Sequence, residues 1–326
     1  MLTSRSRRHL LAGVASIALF PGTTLAADLP FFTSPPPIQV PLSSNFTFEL
    51  FTGYLVGSVE QNAFNCCGEK FAHTRWKISD AGIVGATVSY RWNSFDLRLS
   101  GWTLAWSGVS SESYTDAIVC DRGCRTRLNW RNDKAKLPRM YQIDASVGYN
   151  FYENAGFILT GLAGYRYLRV GLNEIGGLVE PSGVLGDLSA LPMSSAYDLW
   201  WHTPYVGLGA AYDGGSYRLM AEIIASPFAI GGDRARMNNV TADASFIYHT
   251  SFLSKADYQT WMAGATLGGE IRLADQIFLT GKAQYQYYEP DRSKSAIQGI
   301  CCGAVPATQS GELSALTLTV GLKAFF

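Results

Sequence analysis

Apolar and polar residues alternate with a period of two along most of the chain beyond residue 45, most cleanly at the C-terminus. Leu316, Leu318, Val320, Leu322, Ala324 and Phe326 fall on one side; Thr317, Thr319, Gly321 and Lys323 fall on the other. That alternation predicts a strand with one apolar face. A tilted strand of about 10 residues is long enough to cross the hydrocarbon of an outer membrane. The pattern recurs over Tyr141–Phe151 and Phe157–Tyr167, and in Phe46–Val56, Ile78–Trp92, Phe95–Ser107, Trp201–Tyr212, Tyr217–Ile230, Trp261–Leu273 and Ile277–Tyr287. With the last strand, this makes ten.

The connections fix the topology. Short turns are expected at Asn93-Ser94, Tyr152–Ala155, Asp213–Gly215 and Ala274–Gln276. Long loops are expected at Gly57–Phe71, Gly108–Pro138, Gly171–Leu199, Gly231–Asp257 and Glu289–Gly311. Strict alternation of short and long connections predicts an all-β fold, a ten-stranded antiparallel transmembrane β-barrel over residues 45–326. Both termini would then be periplasmic and the long loops extracellular, which is where function is expected.

Composition agrees. Charged residues make up 16% and aromatics 13%, with 33 glycines, low charge for a soluble surface but suited to a lipid-facing band with aromatic girdles. Lys plus Arg equals Asp plus Glu at 26 each, so net charge points to no polyanionic partner, and no nucleic-acid role is expected. Past the N-terminus no apolar run reaches the 18 residues a membrane helix needs. Residues 1–26 read as a signal peptide: Arg5, Arg7 and Arg8, then the apolar Leu10–Phe20, then Thr24-Leu25-Ala26 for cleavage. Arg7-Arg8 loosely fits a twin-arginine signal, but a barrel must cross the inner membrane unfolded. Residues 27–44 are Pro-rich and predict an extended periplasmic lead-in.

Glu49, Asp96, Arg98, Asp144, Arg218, Glu222, Glu270 and Lys282 take the lumen-facing parity. Ten strands enclose little more than side chains, so these residues are expected to pair and fill the barrel rather than line a channel. Cys66, Cys67, Cys120, Cys124, Cys301 and Cys302 all map to long loops. An oxidising exterior favours disulfides over a metal site. Of the 15 connectivities, Cys120 with Cys124 and the two vicinal pairs bridging the first and fifth loops is the preferred guess.

Several colinear stretches together resemble the omptin family of ten-stranded outer-membrane endopeptidases. These are Gly53-Tyr54-Leu55-Val56-Gly57, Arg75-Trp76-Lys77, Ser100-Gly101-Trp102-Thr103, Leu162-Ala163-Gly164-Tyr165 with Arg169, Pro204-Tyr205-Val206-Gly207-Leu208, and Val320-Gly321-Leu322-Lys323 with Phe326. The resemblance implies an aspartate pair on the second long loop facing an Asp-x-His dyad on the fourth, with a water between them and His as base. Ungapped counting places the pair at Tyr114 and Asp116, of which only Asp116 is acidic. On the fourth loop, Asp233 matches an acid that lines the family's pocket for a basic substrate residue, but the dyad positions hold Ala235 and Met237. Neither transfers a proton. His249, six residues after Asp243, is the one loop histidine that could replace the missing base.

The second loop is basic, with Arg122, Arg125, Arg127, Arg131, Lys134, Lys136 and Arg139 against Asp121 and Asp133. This suits an anionic surface ligand rather than the basic peptides of typical omptins. Through the resemblance, Tyr165, Arg169 and Lys255 are expected to bind lipopolysaccharide, which would be the required lipid; no metal and no other cofactor is expected. Two functions follow from the sequence. One is a catalytically silent surface binding or structural relative; the other is an active endopeptidase using Asp116 with His249. A porin is a distant third.

Overall fold

The computed structural model describes residues 45–64, 70–119, 124–132, 135–175, 178–180, 194–242, 247–289, 293–299 and 303–326. The expected signal peptide, the Pro-rich lead-in, and Cys66, Cys67, Cys120, Cys301 and Cys302 lie outside these residues. Cys124 contributes only its backbone, at the start of a strand.

The strands are β1 (Phe46–Phe64), β2 (Lys70–Trp92), β3 (Phe95–Val119), β4 (Cys124–Asn132), β5 (Lys136–Asn154), β6 (Phe157–Ile175), β7 (Leu178–Glu180), β8 (Ser194–Asp213), β9 (Tyr217–Ala242), β10 (Ile247–Ala274), β11 (Ile277–Glu289), β12 (Ser293–Gly299) and β13 (Gly303–Phe325). Ten of them close an antiparallel barrel in the order β1-β2-β3-β5-β6-β8-β9-β10-β11-β13. The closing seam runs unbroken from Thr47 opposite Phe325 to Phe64 opposite Thr308. The other three strands stand outside this ring: β4 pairs β3, β7 pairs β4, and β12 pairs β10 and β13.

The short turns lie where the sequence placed them. Asn93 and Ala155 adopt left-handed φ of 53° and 49°, with Gly156 following at 81°, as tight hairpins require. At the other end the strands run far beyond the predicted ones, β9 for 26 residues and β10 for 28. Most of Gly231–Asp257 and much of Gly108–Pro138 are therefore strand, rising as hairpins rather than loops. Alternation is weak there because above the apolar band both faces of a ribbon accept polar residues, which removes the sequence signal but not the pairing.

Leu50, Leu99, Leu208, Ile223, Leu267 and Leu322 are exposed on the outer wall. Towards the short turns they give way to Phe46, Trp92, Phe95, Tyr149, Tyr212 and Tyr217; at the other margin stand Tyr54, Trp106, Tyr165, Trp261 and Tyr285. An apolar belt between two aromatic girdles is the outer surface of a membrane barrel.

The lumen has two halves. Towards the short turns it is polar and paired: Arg98 with Glu222 at 2.7 Å, Arg166 with Asp144 at 2.7 Å, Lys282 with Glu49 at 2.6 Å and Lys323 with Glu270 at 2.8 Å. Tyr205 adds an O–H donated to Asp144, and Thr280 one to Glu49. Glu49, Arg98, Asp144, Glu222, Glu270 and Lys282 thus pair as expected, whereas Asp96 and Arg218 make no ion pair among the described residues. Towards the long hairpins the lumen is apolar, with Leu55, Ile83, Met140, Leu168, Trp201 and Tyr288 sealed beneath Val59, Trp76, Ile78, Leu172, Tyr197 and Leu199.

Bulges mark the change. The ladders slip between Leu55 and Gly57, between Ile78 and Asp80, and between Thr260 and Met262, and bulges bend strands and raise twist. Between β8 and β9, pairing is lost from His202 to Val206. This gap contains Pro204 on β8 and Pro227 on β9, neither of which has an N–H to donate.

Replacing Arg166 with Leu leaves Asp144 charged in the lumen and is expected to cost about 3–5 kcal/mol. Arg166→Leu with Asp144→Leu should cost less than Arg166→Leu alone. Urea midpoints of detergent-refolded protein check the order.

Candidate functional site

A cleft at the long-hairpin end would have to open between the β2–β3 side and the β8–β10 side of the barrel. Trp76 of β2 and Tyr197 of β8 instead meet edge to face at 4.5 Å between ring centroids. Below them Trp201 of β8 reaches Tyr288 of β11 at 5.1 Å. All four are buried. Because β2 and β8 lie four strands apart around a ring of ten, the Trp76–Tyr197 contact spans the lumen and closes it. The indole N–H groups of Trp76 and Trp201 find no acceptor among the described residues, so this layer is filled by packing at the expense of hydrogen bonding.

Asp233 is sealed into the same layer with no exposed surface. It lies three residues past Ile230, the last exposed apolar residue of β9, and therefore outside the hydrocarbon. Gln61 of β1 donates from Nε2 to its Oδ2 at 2.9 Å, another contact across the barrel; Oδ1 has no donor. Burial pushes its carboxyl up to about 7, against Gln61 and the neighbouring Ala256 N–H, which hold it down. Ala235 shares its row and is buried against the same apolar layer; Met237 takes the next position in that row. No proton-transfer group stands at either dyad position.

Asp116 and His249 are described by backbone alone. In register, Asp116 stands opposite Arg127. It falls in the alternate row of Glu112, whose β2 partner is the exposed Arg75, and not in the row of the buried Trp76. His249 stands opposite Val240, in the row of the exposed Lys255 and Asp257. Both positions belong to outer rows, on strands five apart around the ring. The backbone does not bring them together.

The lipid-site candidates belong to a more coherent feature. Gly171, Asp198, Arg234 and Lys255 are consecutive partners across β6, β8, β9 and β10, and Arg139 on β5 opposes Gly171. Arg169, two residues below, grips Asp198 through two hydrogen bonds. Arg139 lies 3.9 Å from the same carboxylate, and Arg234 stacks 5.7 Å from the centre of the Trp200 ring. Tyr165 adjoins this belt and hydrogen-bonds His202. Among the described residues, the carboxylate at ion-pair distance from Lys255 is the exposed Asp257, at 3.7 Å. The belt sits directly above the girdle, with Arg169 and Arg139 at Asp198 and Arg234 and Lys255 continuing the row. Arg139 entered the sequence reading only as a loop charge, because a lateral row across five strands has no signature until register is known.

The sequence model of the omptin family matches residues 42–323. The chain belongs to the omptin family. Among solved structures it is similar to the outer membrane protease OmpT from Escherichia coli, with a TM-score of 0.73 at 15% identity over 86% of this chain and 97% of that one. That identity establishes the shared ten-stranded barrel alone. The toluene transporter TodX of P. putida (TM-score 0.34, 8% identity, 90% and 93% covered) and the translocator domain of the autotransporter NalP from Neisseria meningitidis (TM-score 0.36, 9% identity, 87% and 89% covered) are far more distant barrels. No curated protein matches in sequence. Family and fold place this omptin in the bacterial outer membrane.

The Asp233 carboxyl gives a pH signature. Its native value is raised from the model-peptide range to about 7, so its contribution to stability is fully present below about pH 4 and is lost as pH rises through 7. Asp233→Asn, which keeps the Gln61 partner without the charge, should flatten that decline. Melting of refolded protein between pH 4 and 8 measures it; parallel curves for both proteins would contradict it.

Proposed function

We propose that this omptin is a catalytically silent surface protein of the outer membrane, with its long hairpins outside, its termini in the periplasm, and its belt engaged with anionic groups of lipopolysaccharide. The observation that carries the first part is the Trp76–Tyr197 contact, which fills the space where a peptide and an attacking water would lie. The chemistry implied for the family needs a base oriented by an acid beside that water. Here the inward row offers Ala235 and a sealed Asp233.

The lipid reading rests on the belt. Arg169 is already held by Asp198, so its guanidinium is preorganised, while Lys255 and Arg234 add charge in the same row. Cations just above a girdle meet phosphate groups. Arg125, Arg127 and Arg131 occupy alternate positions of β4, one face of its ribbon, and extend the basic surface towards an anionic ligand.

Refolded protein with lipopolysaccharide, given a diverse peptide mixture, should yield no cut sites by mass spectrometry, and Asp116→Ala should match it. Cleavage that disappears in Asp116→Ala would establish the endopeptidase reading instead, with His249 the next residue to replace. For the lipid, Arg169→Gln and Lys255→Gln should each weaken lipopolysaccharide binding about fivefold, corresponding to about 1 kcal/mol per cation at a membrane surface. Higher salt should narrow the difference.

A further inference from the structure

The short-turn mouth of the barrel contains a cavity of about 200 Å³ that the reading above does not use. Four cations line it, Arg91, Arg218, Arg272 and Lys323, against the three carboxylates of Asp96, Asp213 and Glu270. Deeper in the lumen every cation has its own carboxylate: Arg98 has Glu222, Arg166 has Asp144 and Lys282 has Glu49. At the mouth this one-to-one rule fails.

Glu270 stands opposite Arg218 in the β9–β10 ladder, yet both its oxygens take Lys323, at 2.8 and 3.1 Å. Asp213 accepts the backbone N–H of Gly215 at its own turn. Among the described residues Arg218 has no carboxylate at ion-pair distance, and its Nε is buried without an acceptor. A buried guanidinium N–H left unpaired is costly, and a guanidinium fork matches the oxygens of phosphate and carboxylate groups. Arg91 flanks the same cavity from β2, and Arg272 lies flat over the Phe278 ring at 5.3 Å.

We propose that the short-turn mouth is a binding site for a small phosphate-type anion, held chiefly by Arg218 with support from Arg91. The cavity is large enough for one phosphate group and opens to the solvent at that end. The anion would give Arg218 the partner that no described carboxylate supplies. It would come either as free inorganic phosphate or as the phosphomonoester of a lipid headgroup.

Isothermal titration of the detergent-refolded barrel with inorganic phosphate, and separately with glycerol 3-phosphate, against chloride at equal ionic strength, tests this. One saturable site for either phosphate is expected, with affinity reduced about tenfold in Arg218→Gln, the loss of one charge-assisted fork, and reduced less in Arg91→Gln. Binding of inorganic phosphate identifies the free ion; binding of glycerol 3-phosphate alone identifies the headgroup. Arg218 makes no ion pair within 4 Å among the described residues, so the variant should fold, which its gel mobility before and after heating verifies. No phosphate-specific heat, or equal binding by wild type and Arg218→Gln, would overturn the proposal. So would binding that survives Arg218→Gln but is lost in Arg169→Gln, because the anion would then sit on the outer belt.

Discussion

Everything in this molecule follows from the need to pair every backbone N–H and C=O that faces hydrocarbon. Lipid offers no hydrogen bonds, so a sheet can enter it only by closing on itself. Closure at ten strands fixes a circumference, and the circumference fixes a lumen too narrow for a channel and too wide to leave empty. What fills it is then the main choice the sequence has left. This chain fills one half with ion pairs and the other with aromatic and aliphatic side chains, and the division falls where bulges bend the wall.

That choice decides what the long-hairpin end can do. An open polar mouth could hold a water between acids and a base; here Trp76 and Tyr197 meet across the lumen instead. The buried Asp233 fits the same account. A carboxyl without a cation, in apolar surroundings, is stable there mainly in its neutral form, accepting from Gln61 rather than gripping a charged ligand. A charged belt lies instead on the outer wall, where register rather than sequence proximity sets Arg139, Arg169, Asp198, Arg234 and Lys255 side by side across five strands.

The barrel was legible because lipid enforces a strict code: an outward row such as Leu316, Leu318, Val320 and Leu322 has to be apolar through the whole span. The lumen pairs were legible as parity, though not as partners, since Arg98 and Glu222 are 124 residues apart. The apolar upper lumen was not. In β2, the bulge at Ile78–Asp80 shifts the side a residue faces: Ala81 and Ile83 are buried below it, Ile78 and Trp76 above it, so counting by twos from the membrane misplaces residues there. In β3 the ladder slips between Leu104 and Trp106, and the buried parity passes from Trp102 to Val109; Asp116, an obvious candidate when counted from Gly101-Trp102-Thr103, therefore takes the alternate row. Ala235 and Met237 carried the most reliable functional signal in the sequence, because no folding can give either a titratable group.

The paired prolines between β8 and β9 have a mechanical meaning. The seam that joins the two ends of the chain, β1 to β13, is continuous over its whole length, whereas Pro204 and Pro227 interrupt the ladder at the rim of the apolar belt. The ladder is therefore broken inside the wall, between two strands that are neighbours in sequence, and not at the junction of the chain's two ends. At that rim the wall can bend without opening the junction that holds the termini together.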